Sequence, residues 1–162
     1  MRIYTVNKND SNQRLDKFIQ KTMPKLPKSM LYKGLRKNNV RINGKHCHDG
    51  NVVVNEGDTI SLYFNDKFFK SNEKILSPLP SPIVVYEDEN ILVLDKPKGL
   101  SVHADEKESD DTLIDRVIYY LFEKGEYKPQ EENTFTPSLC NRLDKNTSGL
   151  VIGAKNANAL RL

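Results

Sequence analysis

The densest cluster of reactive side chains is Asn141-Arg142-Leu143-Asp144-Lys145-Asn146-Thr147-Ser148-Gly149. It sets one carboxylate between two cations and follows it with a run of turn-forming residues. Leu150-Val151-Ile152-Gly153-Ala154 comes next and is apolar enough for a central strand. Asp144 is therefore expected on a loop entering a buried strand, where a rigid scaffold holds reacting groups. Arg142 stands two residues away, and an opposite charge at close range lowers a carboxyl pKa by ~1–3 units. Such a pairing keeps Asp144 ionised as a nucleophile or base. The competing reading is an Asp-Thr-Ser turn that only satisfies its own backbone. A second cluster, His46-Cys47-His48-Asp49, has metal-binding side chains. Adjacent residues on a short loop rarely converge on one ion, and the second ligand pair of a structural zinc site is missing, so no metal is expected.

Charge divides the chain that must position these groups. The 162 residues hold 25 Lys+Arg and 22 Asp+Glu, a net +3. Residues 1–50 carry 12 basic and 3 acidic residues, or +9, and the remainder carries 13 and 19, or −6. A basic module joined to an acidic one fits nucleic-acid attachment beside separate chemistry, and fits equally a basic face that is merely solvated. No apolar run approaches the ~20 residues of a membrane-spanning helix. The N-terminus lacks the apolar core of a secretory signal. Two cysteines, Cys47 and Cys140, do not make a disulfide framework and suit a reducing cytoplasm. A cytoplasmic protein without membrane contact is expected.

Three prolines spaced one residue apart in Ser77-Pro78-Leu79-Pro80-Ser81-Pro82 favour an extended connector. The expected organisation is a first domain over 1–65, a linker over 66–82 and a second domain over 83–162. In the first, Ile3 to Val6 reads as a short strand. Leu15, Phe18 and Ile19 mark one helix face, closed by Pro24 and Pro27. Asp16, within the first of two Arg-Leu-Asp-Lys copies, is expected exposed among Arg14, Lys17 and Lys21. Ser29 is expected to cap a second helix running to about Asn38. Val40 and Ile42 read as a strand before the turn signal Asn43-Gly44, with Val52 and Val54 as a return strand and Thr59 to Phe64 as another. In the second domain, Ile83–Tyr86 and Ile91–Leu94 read as a hairpin. Lys96-Pro97-Lys98-Gly99 bends sharply, and Leu100 to His103 continues extended. Asp110, Asp111 and Thr112 supply caps for a helix carrying Leu113, Val117, Ile118 and Leu121. Glu126 to Thr136 is a polar loop.

Two resemblances gather these elements. Arg14-Leu15-Asp16, Ser29, Asn39-Val40-Arg41-Ile42-Asn43-Gly44 and Gly57-Asp58-Thr59-Ile60, in that order, resemble the αL-type RNA-binding module first known from a small-subunit ribosomal protein. Asn39 stands where that family usually has Gly, and Asn tolerates the positive φ of such a position better than most residues. Asn141 to Leu150 with Ala154-Lys155, and upstream Tyr86 to His103, resemble the signatures of RluA-type pseudouridine synthases. Asn141 stands where many members carry His.

The resemblance implies an α+β chain: a small αL-type domain of two helices on a small sheet, then the N-terminal part of a mixed, mainly antiparallel synthase sheet. It implies that uridine in RNA becomes pseudouridine, by breaking N1–C1′ and rejoining the base through C5. Asp144 would be the essential carboxylate, Arg142 would orient it, and Asn141 and Thr147 would support the loop. Lys96 to Leu100 would shape the adjoining cleft. Arg14, Lys28, Lys33, Arg36, Lys37 and Arg41 become candidate RNA contacts. The partner is RNA, ribosomal in preference to transfer RNA, and no cofactor is implied. The family's catalytic domain continues past the equivalent of Leu162, so a truncated domain inactive by itself is expected. The alternative is an RNA-binding module with a non-catalytic synthase remnant. A DNA-binding protein is disfavoured because no recognition-helix or zinc-finger pattern occurs.

Overall fold

Leu15, Phe18 and Ile19 fall on one side of a helix, and that side forms the centre of the first of two cores. The computed structural model describes residues 1–70, 77–104 and 111–162. It divides into two units, Met1–Glu73 with Gln130–Phe135, and Lys74–Pro129 with Thr136–Leu162.

The first unit runs β1 (Arg2–Thr5), β2 (Gln13–Arg14), α1 (Leu15–Thr22), α2 (Lys28–Arg36), β3 (Val40–Ile42), β4 (Lys45–His46), β5 (Val53–Val54) and β6 (Thr59–Leu62). One antiparallel sheet has the order β1-β6-β3-β4, and β2 pairs separately with β5. Alternation on β3 and β6 sends Val40, Ile60 and Leu62 against Leu15, Phe18 and Leu31 of the helices. Tyr4 meets Phe18 edge-on, with ring centroids 5.8 Å apart.

The structure corrects four local expectations. The return strand after Asn43-Gly44 is Lys45–His46, not Val52 and Val54, because φ of 51° and 82° at those two residues makes a two-residue hairpin turn. The capping residue of α2 is Pro27, not Ser29, and it offers no side-chain bond. The left-handed residue beyond α2 is Asn38, with φ of 63°, rather than Asn39. Asp16 is buried, not exposed. Its carboxylate meets Arg14 at 2.6 Å and accepts from the Tyr32 hydroxyl at 3.2 Å. Gly50 permits this close packing: a Cβ there would lie 3.1 Å from that of Asp16.

Residues 130–135 belong to the first unit through a carboxylate. Asp10 has no exposed surface. Its Oδ1 accepts from the Thr134 N–H at 3.0 Å and from the Thr134 hydroxyl, and its Oδ2 accepts from Asn133 Nδ2 at 2.8 Å. Asn133 also donates to the Thr5 carbonyl, and Asn9 to Glu132. The stretch expected as part of a plain polar loop is thus a strap held by side-chain bonds.

The second unit contains β7 (Ile83–Glu87), β8 (Ile91–Lys96), α3 (Leu113–Glu123), β9 (Ser138–Leu139), β10 (Gly149–Ala154) and α4 (Ala157–Arg161). The sheet order is β7-β8-β10-β9, antiparallel throughout. Leu92, Leu94 and Val151 pack on Leu113, Val117 and Leu121 of α3. Thr112 caps α3 by accepting from the Asp115 N–H, and Arg116 clamps Asp111 at 2.7 and 2.8 Å. Asp110 and linker residues 71–76 lie outside the described residues. Among the described residues, no helix is long and apolar enough to cross a membrane.

Glu87 ties the far end of this sheet to its surroundings. Lys124 reaches it at 2.6 Å and Lys155 at 3.0 Å, and the Tyr120 hydroxyl donates at 2.7 Å. Burial by itself raises the Glu87 pKa, but these three donors outweigh it and bring the group from 4.5 to about 2. A carboxyl whose folded pKa lies below its unfolded value stabilises above the unfolded value and loses that contribution on acidification. Urea unfolding at a series of pH values should show wild type losing stability as pH falls from 4.5 towards 2. Glu87→Gln should be weaker above that window, and its deficit should shrink through it. In the first unit, Asp10→Ala leaves the Thr134 and Asn133 donors without their acceptor, with an expected cost on the order of 3 kcal/mol. Hydrogen exchange should then quicken at Thr134.

Candidate active site

The alternation that buries Leu92 and Leu94 of β8 also carries Lys96 inward, to complete burial. A buried ammonium is tolerated only when its protons are bonded. Lys96 Nζ donates to the carbonyls of Pro97 at 3.0 Å, Leu100 at 2.7 Å and Lys145 at 3.0 Å. Burial lowers its pKa, and the Asp144 charge opposes that shift. The Lys145 carbonyl accepts a second bond, from the Gly99 N–H at 2.8 Å. Gly99 has φ of 88°, which the sharp turn after Pro97 requires and a side chain resists. The turn over 97–100 and the loop over 144–145 are therefore laced around one cation.

The other end of that loop is held by an amide. Asn141 donates through Nδ2 to the Leu150 carbonyl at 3.1 Å and accepts the Ile152 N–H through Oδ1 at 2.8 Å. It extends the short β9–β10 ladder with its side chain, and Cys140 N–H to Ile152 carbonyl adds a bond at 2.7 Å. Between these anchors the Thr147 N–H bonds the Asp144 carbonyl at 3.0 Å and closes a turn.

That turn uses the backbone oxygen of Asp144. Its carboxylate accepts no hydrogen bond among the described residues; it is exposed and lines a cavity of about 470 Å³. Among the described residues, Arg142, Leu143, Lys145 and the Ser101–Ala104 stretch also line it. Arg142 shares this cavity, but no ion pair closes between it and Asp144, in contrast to the pairing expected from their spacing. Asn141 and Thr147 act on the loop through the bonds above. The stretch after Leu100, expected to be extended, forms no strand, and it brings His103 and Ser101 to the cavity. The role of Lys96 is visible in the sequence only as a cation in phase with Leu92 and Leu94.

The six candidate RNA contacts occupy different settings. Lys28, Lys33 and Arg36 are exposed on α2 and Lys37 directly follows it; α2 contains no acidic residue. Arg14 is engaged with Asp16 while half of its side chain stays exposed. Arg41 is half-buried on β3. Among the described residues, no cluster of three or more His, Cys, Asp or Glu could hold a metal ion.

Residues 90–161 match the sequence model of a family described as RNA pseudouridylate synthase. An uncharacterised RNA pseudouridine synthase of Mycoplasma capricolum is 41% identical over 154 residues, covering 94% of this chain and 50% of that protein. A counterpart from Mycoplasma genitalium is 33% identical over 98% of this chain and 49% of its own length. The ribosomal large subunit pseudouridine synthase D of Buchnera aphidicola is 34% identical over 90% of this chain and 43% of its own length. The chain thus spans about half the length of the curated relatives it matches. The matched stretch, residues 90–161, includes the Asp144 loop together with Lys96 and Asn141, the two residues that hold it.

Proposed function

We propose that this chain supplies the RNA-binding module and the aspartate-bearing part of an RluA-type pseudouridine synthase acting on ribosomal RNA. One observation carries the proposal. The Asp144 carboxylate lines a cavity and accepts no hydrogen bond among the described residues, on a loop fixed at both ends by Lys96 and Asn141. A group used only to cap its own turn has its oxygens occupied; this one is left for a ligand.

In the proposed reaction Asp144 meets the nucleoside as N1–C1′ breaks, and the base rejoins the sugar through C5. The C5 proton is lost and N1 gains one, so atoms and electrons balance without an external oxidant or reductant. Arg142 shares the cavity and offers a fork of donors for a phosphate or a carbonyl beside the reacting sugar. The target base must leave its stack, at a cost of a few kcal/mol. Contacts between phosphates and the cations on α2 offset that cost in a salt-dependent manner. The first unit, two helices on a small sheet, acts in this reading as an αL-type domain that recruits RNA through Lys28, Lys33, Arg36 and Lys37, with Arg14 and Arg41 adding to the contact. Ribosomal RNA is favoured over transfer RNA because the Buchnera relative is named for the large ribosomal subunit.

Because C5–H is lost, tritium release from 5-tritiated uridine in ribosomal RNA reads the reaction directly. The assay is run on the 162-residue chain and on the chain extended to the length of its relatives. The extended protein should release tritium, and the 162-residue chain alone should not. Asp144→Asn, which preserves shape and removes the charge, should lower release by the contribution of an essential catalytic group, at least about 10³-fold. Retained activity in that variant would remove Asp144 from the mechanism.

A further inference from the structure

We infer that the outer face of the four-stranded sheet in the first unit is a stacking platform for an unpaired RNA nucleotide, with Tyr63 taking the base and Arg41 its phosphate. The inference rests on the RNA-binding reading of that unit and goes beyond the helical cations already assigned to it.

Strand alternation builds the platform. Val40, Ile60 and Leu62 point into the core, so Arg41 and Ser61 point the other way. Register sets Arg41 opposite both His46 and Ser61, and Ser61 opposite Ile3. Tyr63 continues the line of β6 by donating its N–H to the Asn39 carbonyl at 2.9 Å, which leaves it diagonal to Arg41 on the same face. The Arg41 guanidinium carbon lies over the Tyr63 ring, 5.3 Å from its centroid. Tyr63 is 38% exposed and Ile3 58% exposed.

Three observations point to a ligand from outside. Arg41 makes no ion pair among the described residues. Its Nε is buried and donates to no acceptor, a state that interiors rarely leave uncorrected. The neighbours on this face (Ile3, Ser61, His46 and Tyr63) include no carboxylate to balance it. A cation resting on an aromatic ring and lacking an anion is completed by a phosphate whose own base stacks on that ring. The chemistry differs from that of α2. Exposed lysines bind backbone charge whether or not the bases are paired, whereas an aromatic face needs a base free of its stack.

Fluorescence anisotropy of the 162-residue chain tests this with three end-labelled probes: an RNA hairpin with a uridine-rich single-stranded loop, a fully paired RNA duplex of equal length, and the DNA form of the hairpin. The RNA hairpin should bind tightest. Tyr63→Leu should weaken hairpin binding on the order of 10-fold and leave duplex binding unchanged. Tyr63→Phe, which retains the ring, should bind the hairpin as wild type does. Arg41→Gln should also weaken hairpin binding and reduce the salt slope by about 1. Unchanged hairpin affinity in Tyr63→Leu or in Arg41→Gln overturns the platform and leaves the α2 contacts standing. Equal binding of the DNA hairpin overturns its assignment to RNA. A wild-type chain that binds none of the probes overturns the platform together with the RNA-binding reading of the unit.

Discussion

The second unit depends on one ammonium placed where water cannot reach it. An uncompensated charge in an interior costs several kcal/mol, so Lys96 has to surround itself with carbonyls, and it draws them from two separate stretches of chain. That requirement converts a desolvation penalty into geometry. The turn after Pro97 cannot drift from the loop carrying Asp144 without leaving the charge bare. Asp144 therefore sits at the surface yet inherits the rigidity of the interior, since its neighbour Lys145 is bonded through the backbone to both Lys96 and Gly99.

Rigidity of that kind suits the role proposed for Asp144, whose carboxylate accepts no hydrogen bond among the described residues. A carboxylate usually finds a nearby donor, and Asp16 illustrates the usual outcome. It belongs to the same four-residue sequence as Asp144, yet it is buried against Gly50 with Arg14 and Tyr32 as partners. The difference between the two copies lies in the residues on their C-terminal side. The first copy continues into a helix whose first turn packs on a neighbouring loop. The second runs into Asn-Thr-Ser-Gly, which turns the chain through backbone bonds and leaves the side chain outward.

Much of this is legible from spacing. Helical repeats at Leu15, Phe18 and Ile19 and at Leu113, Val117 and Leu121 locate both core helices, because burial rewards a fixed period. The hairpin of β7 and β8 and the entry of Asp144 into β10 are read from apolar runs bounded by turn residues. The features that sequence conceals depend on partners distant along the chain. The burial of Asp16 needs Gly50; the absence of an Arg142–Asp144 pair reflects a loop held by other bonds. Short strands such as β4 and β5 lie below the length at which alternation can be read, so spacing assigns them the wrong partners. The link from Asp10 to Asn133 and Thr134 gives no signal at all, because those partners stand more than 120 positions away.

That separation has a consequence for how the protein is made. Translation proceeds at about 5–20 residues per second, so roughly 6 to 25 s pass between the emergence of Asp10 and that of Thr134. Throughout this interval the carboxylate lacks the donors that Asn133 and Thr134 supply in the folded unit. The N-terminal unit, although synthesised first, is the one that must wait, and its last missing piece arrives only after β7, β8 and α3 have already been delivered.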